Sequence, residues 1–327
     1  MDTFIKDIRV TNFKSLKDCE INNCKRINLF IGRPNVGKSN ILEALSIFSL
    51  PVILDDHTLL FTDFVRIEHE NELFFNGDIS LSVSLKTNLE HFDINYDPKN
   101  GLNIYISDSN STITVSEDFR ISGGTKLNPP FETIIKKYIF KSNLKHKKGH
   151  SKFLVPPYGK NLFSIIENYK TLKDEVGELY AESNLKVILD RTSGTLKIIH
   201  NDKDNIAFLL PYSSIADTLQ RIIFYKAAIE SNENSVLLFE EPEAHAYPPF
   251  ISKITQDIIT KKSNQYFITT HSPVILNDFL ENAQDELAVY IVKFEDQQTK
   301  VRALSKRELE EVSEYGVDLF TNSETYI

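Results

Sequence analysis

The chain has 327 residues, a net charge of −9, an apolar fraction of 41% and two cysteines. It is long enough to bury a large core, no apolar run approaches the roughly 18 residues that span a bilayer, and the negative balance argues against wholesale coating of nucleic acid. The start, MDTFIKDIRV, does not read as a signal peptide, and Cys19 and Cys24 have no second pair to complete a zinc site, so a cytoplasmic protein with reduced, structural thiols is expected.

In chain order, FIKDIRVTNF alternates apolar and polar residues with the period of a strand, and RINLFIG reads as a second strand buried on both faces. A glycine ends it, and NILEALSIF follows with helical spacing. From about 73 to 121 the runs LFF, ISLSVSL, FDINY, LNIYIS and TITVS read as short strands. The turns YDPKNG and SDSNS between them predict antiparallel hairpins. After Pro129-Pro130, FETIIKKYIFKSNL and NLFSIIENYKTLKDEVGELYAE carry apolar residues at helical spacing, too briefly for a long coiled-coil arm. KVILD, TLKIIH and IAFLL return to strand. From SSIADTLQRIIFYKAAIES onward helices alternate with the strands SVLLF, QYFITT and LAVYIVKF, which predicts a parallel sheet flanked by helices. The expectation is a single α/β domain over 1–327, with an antiparallel β segment at 72–125 and a helical insertion at 130–184.

GRPNVGKS, from Gly32 to Ser39, matches the phosphate loop G-x-x-x-x-G-K-[ST], and it sits between a buried strand and a helix as that motif requires. Gly32 and Gly37 permit the tight turn that points backbone N–H groups at phosphate oxygens. Lys38 brings an ammonium to the β- and γ-phosphates, and Ser39 offers its hydroxyl to Mg²⁺ at the start of a helix whose dipole favours the anion. SVLLFEEPEAHAYPP ends a second buried strand in Glu240, Glu241 and Glu243. Carboxylates there need compensation, and a bound cation supplies it. In phosphate-loop ATPases the acid ending this strand reaches the Mg²⁺ shell and the next can hold the attacking water, which assigns Glu240 to the metal and Glu241 to the base.

Taken together, IRVTNFKSLKD before the loop, IGRPNVGKSNILEAL, LLFEEPEAHAYPP and YFITTHSPVIL resemble the ABC-type ATPases related to RecF, SMC proteins and the OLD (overcoming lysogenization defect) group. The resemblance implies an ABC-type phosphate-loop core that binds ATP and Mg²⁺. It implies that Gly32, Asn35, Val36, Gly37, Lys38, Ser39 and Asn40 hold the nucleotide, that Ser39 and Glu240 hold the metal, that Glu241 is the base and that His271 senses the γ-phosphate. It also implies a homodimer or higher homo-oligomer whose closure on ATP is the switch. Two stretches depart from the family pattern. SSIADTLQR has Ala216 where the trans-acting signature carries serine, and no glycine follows, which predicts slow turnover; FTDFVR lies where a switch-loop glutamine is expected and has none.

About fifty-five residues follow His271, too few for the nuclease domain that OLD proteins append, so the expected output runs through a separate effector, as in bacterial anti-phage systems. The alternative is a RecF-like DNA-binding ATPase in repair. Its motivation is an acid-free stretch between Glu132 and Glu167 holding Lys136, Lys137, Lys141, Lys145, Lys147, Lys148, Lys152 and Lys160, with DNA contact expected through Lys136–Lys152. A third reading, a scaffold that holds nucleotide and barely hydrolyses it, follows from the altered signature.

Overall fold

A hairpin of β1 (Ile8–Phe13) and β2 (Leu16–Ile21) comes first and is followed by β3 (Ile27–Ile31), buried at all five positions as its unbroken apolar run requires. The computed structural model describes residues 4–322 apart from 55, 57, 108, 124–132, 143, 145, 147, 151, 180–184 and 202–206. Helix α1 (Lys38–Ser46) starts inside the phosphate-loop motif. Strands β4 (Val83–Thr87), β5 (His91–Asp97), β6 (Gly101–Ile106), β7 (Ser111–Val115) and β8 (Ile121–Gly123) then build an antiparallel sheet in the order β2-β1-β4-β5-β6-β7-β8. LFF is not one of its strands. Short 3₁₀ turns occupy Glu70–Leu73 and Phe75–Gly77, because Asn76 and Gly77 take left-handed φ values of 54° and 71° that no strand accommodates.

Within FETIIKKYIFKSNL the structure forms β9 (Ile135–Tyr138), where the sequence predicts a helix. All four of its residues are buried, both lysines included, so the three-to-four spacing of isoleucine and tyrosine reflects a short covered strand. The ammonium groups find acceptors: Lys136 Nζ donates to Ser235 Oγ at 3.3 Å and Lys137 Nζ to the Phe64 carbonyl at 2.9 Å. The second predicted helical stretch forms α2 (Leu162–Asn168) and α3 (Lys170–Leu179), broken at the extended Tyr169.

Strands β10 (Leu185–Asp190), β11 (Thr195–Asn201) and β12 (Ala207–Pro211) make a separate antiparallel sheet, and α4 (Asp217–Ser231) follows. Next come β13 (Val236–Glu240), α5 (Pro248–Thr260), β14 (Gln265–Thr269), α6 (Pro273–Asn282), β15 (Leu287–Glu295), β16 (Gln298–Ala303), α7 (Lys306–Tyr315) and α8 (Leu319–Asn322). The central sheet runs β16-β15-β3-β14-β13-β9, and its pairs β15–β3, β3–β14 and β14–β13 are parallel, as the alternating pattern predicts.

The chain groups into two compact units. One comprises Met1–Lys137, Asn234–Glu241 and Asn264–Ile327 and carries both larger sheets; the other comprises Tyr138–Glu233 and Pro242–Ser263. In the second unit Lys226, 9% exposed, lies 2.6 Å from Asp257 and 2.8 Å from Glu175, which ties α3, α4 and α5 together. Among the described residues no helix is long and apolar enough to cross a membrane. Cys19 and Cys24 are both free thiols, and burial pushes each up to about 12.

Candidate nucleotide site

Strand register decides which side chains meet. Glu240 of β13 pairs with Thr269 of β14, and Thr269 pairs with Phe30 of β3. Three parallel neighbours therefore end level, and the phosphate loop, Glu241 and His271 leave from the same carboxyl edge of the sheet, where open α/β sheets hold ligands.

The loop is built around two left-handed residues, Asn35 at φ 62° and Gly37 at φ 98°, a backbone pattern that turns successive N–H groups to one side. Glycine is required at Gly32 for a different reason: a Cβ there would lie 2.2 Å from the Val292 carbonyl oxygen. A polar chain fixes the loop from behind. The Asn40 amide donates to Ser15 Oγ at 2.7 Å, Ser15 and Thr299 share a hydroxyl hydrogen bond of 2.6 Å, and Thr299 donates to the Val36 carbonyl at 2.8 Å. Asn40 and Val36 thus hold the loop's shape through their hydrogen bonds with Ser15 and Thr299.

Lys38 is 5% exposed, and its Nζ donates to the carbonyls of Gly32 and Arg33, both at 2.8 Å. An ammonium closed over by loop carbonyls is poised to exchange them for phosphate oxygens, which are stronger acceptors. Ser39 hydrogen-bonds Glu240. Hydroxyl and carboxylate oxygens are ligands that Mg²⁺ prefers, so Ser39 and Glu240 would hold it and these residues fit a magnesium nucleotide. Among the described residues no cluster of three or more His, Cys, Asp or Glu could hold a metal ion without such help.

Glu240 has an 18% exposed side chain and sits in a web of charge. Arg66 Nη2 lies 2.5 Å from its Oε1 and Lys137 Nζ 3.8 Å from its Oε2. Burial opposes the charge on Glu240, but Lys137 and Arg66 outweigh it, and the carboxyl is held below the ordinary glutamate range. Burial also dominates Lys137 and lowers its ammonium despite the pull of Glu240 and Glu43. Glu43 on α1 is 1% exposed and is met by Lys14 Nζ at 2.5 Å and Arg66 Nε at 2.7 Å. Arg66 bridges two carboxylates, and Lys14 also donates to its carbonyl at 2.7 Å.

Glu241 adopts φ 42°, and its backbone N–H donates to the Thr269 carbonyl at 3.0 Å. His271 Nε2 lies 3.6 Å from Glu241 Oε1. Burial and then Lys38 lower the imidazole, against the pull of Glu241, which favours its neutral form at pH 7. The structure thus brings Lys38, Ser39, Glu240, Glu241 and His271 to one edge, while Glu243, His245 and Ala216 belong to the second unit. Lys14, Glu43, Arg66 and Lys137 carry the site's charge balance without being singled out for it by the sequence. The one available signal was FTDFVR, in the place of the missing switch glutamine, whose last residue is Arg66.

A family profile described as "AAA domain, putative AbiEii toxin, Type IV TA system" matches residues 27–277. The DNA replication and repair protein RecF of Streptococcus gordonii is 29% identical over 182 residues, covering 53% of this chain and 50% of its own length. An ATP/GTP phosphatase of Helicobacter pylori is 27% identical over 93 residues, covering 27% of this chain and 25% of the phosphatase. The chain therefore spans half or less of the length of these curated relatives. In fold, an SMC head from Pyrococcus furiosus, bound to the C-terminal domain of ScpA, superposes with a TM-score of 0.55 at 14% identity, over 95% of this chain and 99% of that one. Another SMC head, bound to the C-terminal winged-helix domain of ScpA, gives 0.54 at 15% identity over 94% and 99%. With the match running from the first core strand into the helix after His271, the chain belongs to this AAA-domain family, and its fold is that of the SMC heads.

Proposed function

We propose that the protein is a Mg²⁺-dependent ATP-binding and hydrolysing switch that dimerises on nucleotide and passes the change to a separate effector in anti-phage defence. The observation that carries the ATP reading is the shared strand edge, where Lys38, Ser39, Glu240, Glu241 and His271 gather beside a loop with two left-handed turns. Lys38 exchanges its loop carbonyls for β- and γ-phosphate oxygens. Bound Mg²⁺ supplies neutralisation of phosphate charge, with Ser39 and Glu240 as its protein ligands. Glu241 takes the proton of a water that attacks the γ-phosphorus as the bond to the β–γ bridging oxygen breaks, and His271 orients that water or the phosphate.

The family description names a toxin and a toxin–antitoxin system, which supports a place in a system of more than one protein, and the SMC heads are domains of this fold bound to a separate protein, ScpA. The RecF match favours a second reading, a DNA-binding ATPase in repair. Slow turnover is supported by the signature region, where Ala216 stands in place of the serine and no glycine follows.

Two variants test the ATP reading. Lys38→Ala abolishes binding of a labelled ATP analogue; a folded variant that binds as the parent does overturns the nucleotide assignment. Glu241→Gln retains ATP, accumulates as a dimer in light scattering, and loses about 100-fold or more in turnover, the range expected when a general base is removed. Parent-like turnover in Glu241→Gln moves the base elsewhere.

A further inference from the structure

Three cations, Lys14, Arg66 and Lys137, surround two carboxylates, Glu43 and Glu240, at the edge of the site. Glu240 is held by two of these cations, so a divalent cation reaches it only with the negative charge brought by a nucleotide and with removal of a cation now held there. The two cations on Glu240 differ in freedom. Lys137 is 2% exposed and anchored to the Phe64 carbonyl at 2.9 Å. Arg66 has a 64% exposed side chain and a second hold on Glu43 through Nε at 2.7 Å. Releasing Glu240 would leave the Arg66 guanidinium tethered to α1, with its Nη atoms available to an anion.

Resting on the nucleotide reading above, we propose that Arg66 is a positioning residue: an internal counter-cation of Glu240 that yields the carboxylate to the metal of the bound nucleotide and thereby ties the segment Phe61–Arg66 to the state of the site. The backbone is arranged to transmit the exchange. The Phe64 carbonyl accepts from both Lys137 Nζ and Ser46 Oγ, and the Arg66 carbonyl accepts from Lys14 Nζ, so Glu240, β9, α1 and the β1–β2 turn all hold this one segment. The segment stands in place of the family's glutamine loop, and a guanidinium paired to the metal carboxylate gives it a metal-dependent interaction without a glutamine.

The test follows binding of a fluorescent, non-hydrolysable ATP analogue to the full chain while Mg²⁺ is titrated, in the parent and in Arg66→Gln. Removing an exposed competitor of a carboxylate is expected to lower the half-saturating Mg²⁺ about five-fold. In a Glu240→Gln background the same Arg66 substitution should leave the midpoint unmoved. Amide hydrogen exchange over residues 61–66 should change on adding the Mg²⁺ analogue to the parent and stay constant in Arg66→Gln. An unchanged Mg²⁺ midpoint in Arg66→Gln with analogue binding intact overturns the proposal alone. A parent protein that binds no analogue at any Mg²⁺ concentration overturns the nucleotide reading and this inference with it.

Discussion

Glu241 occupies a left-handed φ of 42°, a conformation that costs a β-carbon-bearing residue on the order of 1–2 kcal/mol and persists where surrounding interactions enforce it. Here these are the Thr269 carbonyl, which accepts from the Glu241 N–H, and the level ends of β13 and β14. The strained residue faces His271, whose imidazole is lowered by burial and by Lys38. A lowered histidine stays uncharged around pH 7 and gains its proton only as pH falls below the ordinary value of 6.5. Once protonated it pairs with the carboxylate 3.6 Å away and draws the base off the water. Turnover is therefore expected to hold level above about pH 6.5 and to fall on an acid limb below it, and His271→Asn should displace that limb. A pH–rate profile that keeps its acid limb unmoved in His271→Asn would detach the histidine from the base. The sequence made Glu241 and His271 legible because each sits in a short motif at a strand end. Their mutual distance rests on a register that local pattern does not encode.

At the scale of elements, β9 shows where sequence reasoning loses its grip. Ile134, Ile135, Tyr138 and Ile139 satisfy a helical period as readily as a buried strand, and two adjacent lysines weigh against burial on sequence grounds. Tertiary partners reverse that weight. Ser235 follows Lys136 by 99 residues, and Glu240 is similarly remote from Lys137, so no local window contains the compensation. The same remoteness hides Arg66, which is 174 residues from Glu240. The core strands and α1 were legible because the burial they need is written in consecutive residues. Lys137 gives this element a measurable signature. Lys137→Met removes one counter-charge from a buried carboxylate and is expected to lower stability by about 1–3 kcal/mol. Glu240→Gln introduced into that variant should cost less than in the parent, since the carboxylate that has lost its buried partner is gone. Thermal midpoints of the four proteins in the cycle measure the coupling, and strictly additive shifts would show that Lys137 and Glu240 act independently.

For the whole molecule the question is what ATP binding acts upon, and the lysine-rich stretch separates the two readings. Lys136 and Lys137 are withdrawn from any external role by burial, and Lys145 and Lys147 lie outside the described residues. Lys141, Lys148 and Lys152 remain exposed in the second unit, with Lys141 Nζ 4.8 Å from the Tyr158 ring centroid and Lys148 Nζ 5.8 Å from that of Phe163. Ammonium groups over aromatic rings are attracted to them yet keep water on their outer side, a state from which binding a phosphate needs little desolvation. Against a net charge of −9 this local excess is the feature that a RecF-like reading requires. If DNA is the target, duplex affinity falls with salt on a log–log slope of about −0.9 per phosphate neutralised. Replacing Lys141, Lys148 and Lys152 together by Glu then makes that slope shallower by up to about 2.7, one increment for each phosphate left without its lysine, while ATP turnover measured without DNA stays at the parent level. Under the effector reading the parent protein shows no salt-dependent duplex binding, and the triple variant instead loses retention of a co-expressed acidic partner. A variant that keeps both activities leaves the three lysines as a solvated face and moves the output surface elsewhere on the chain.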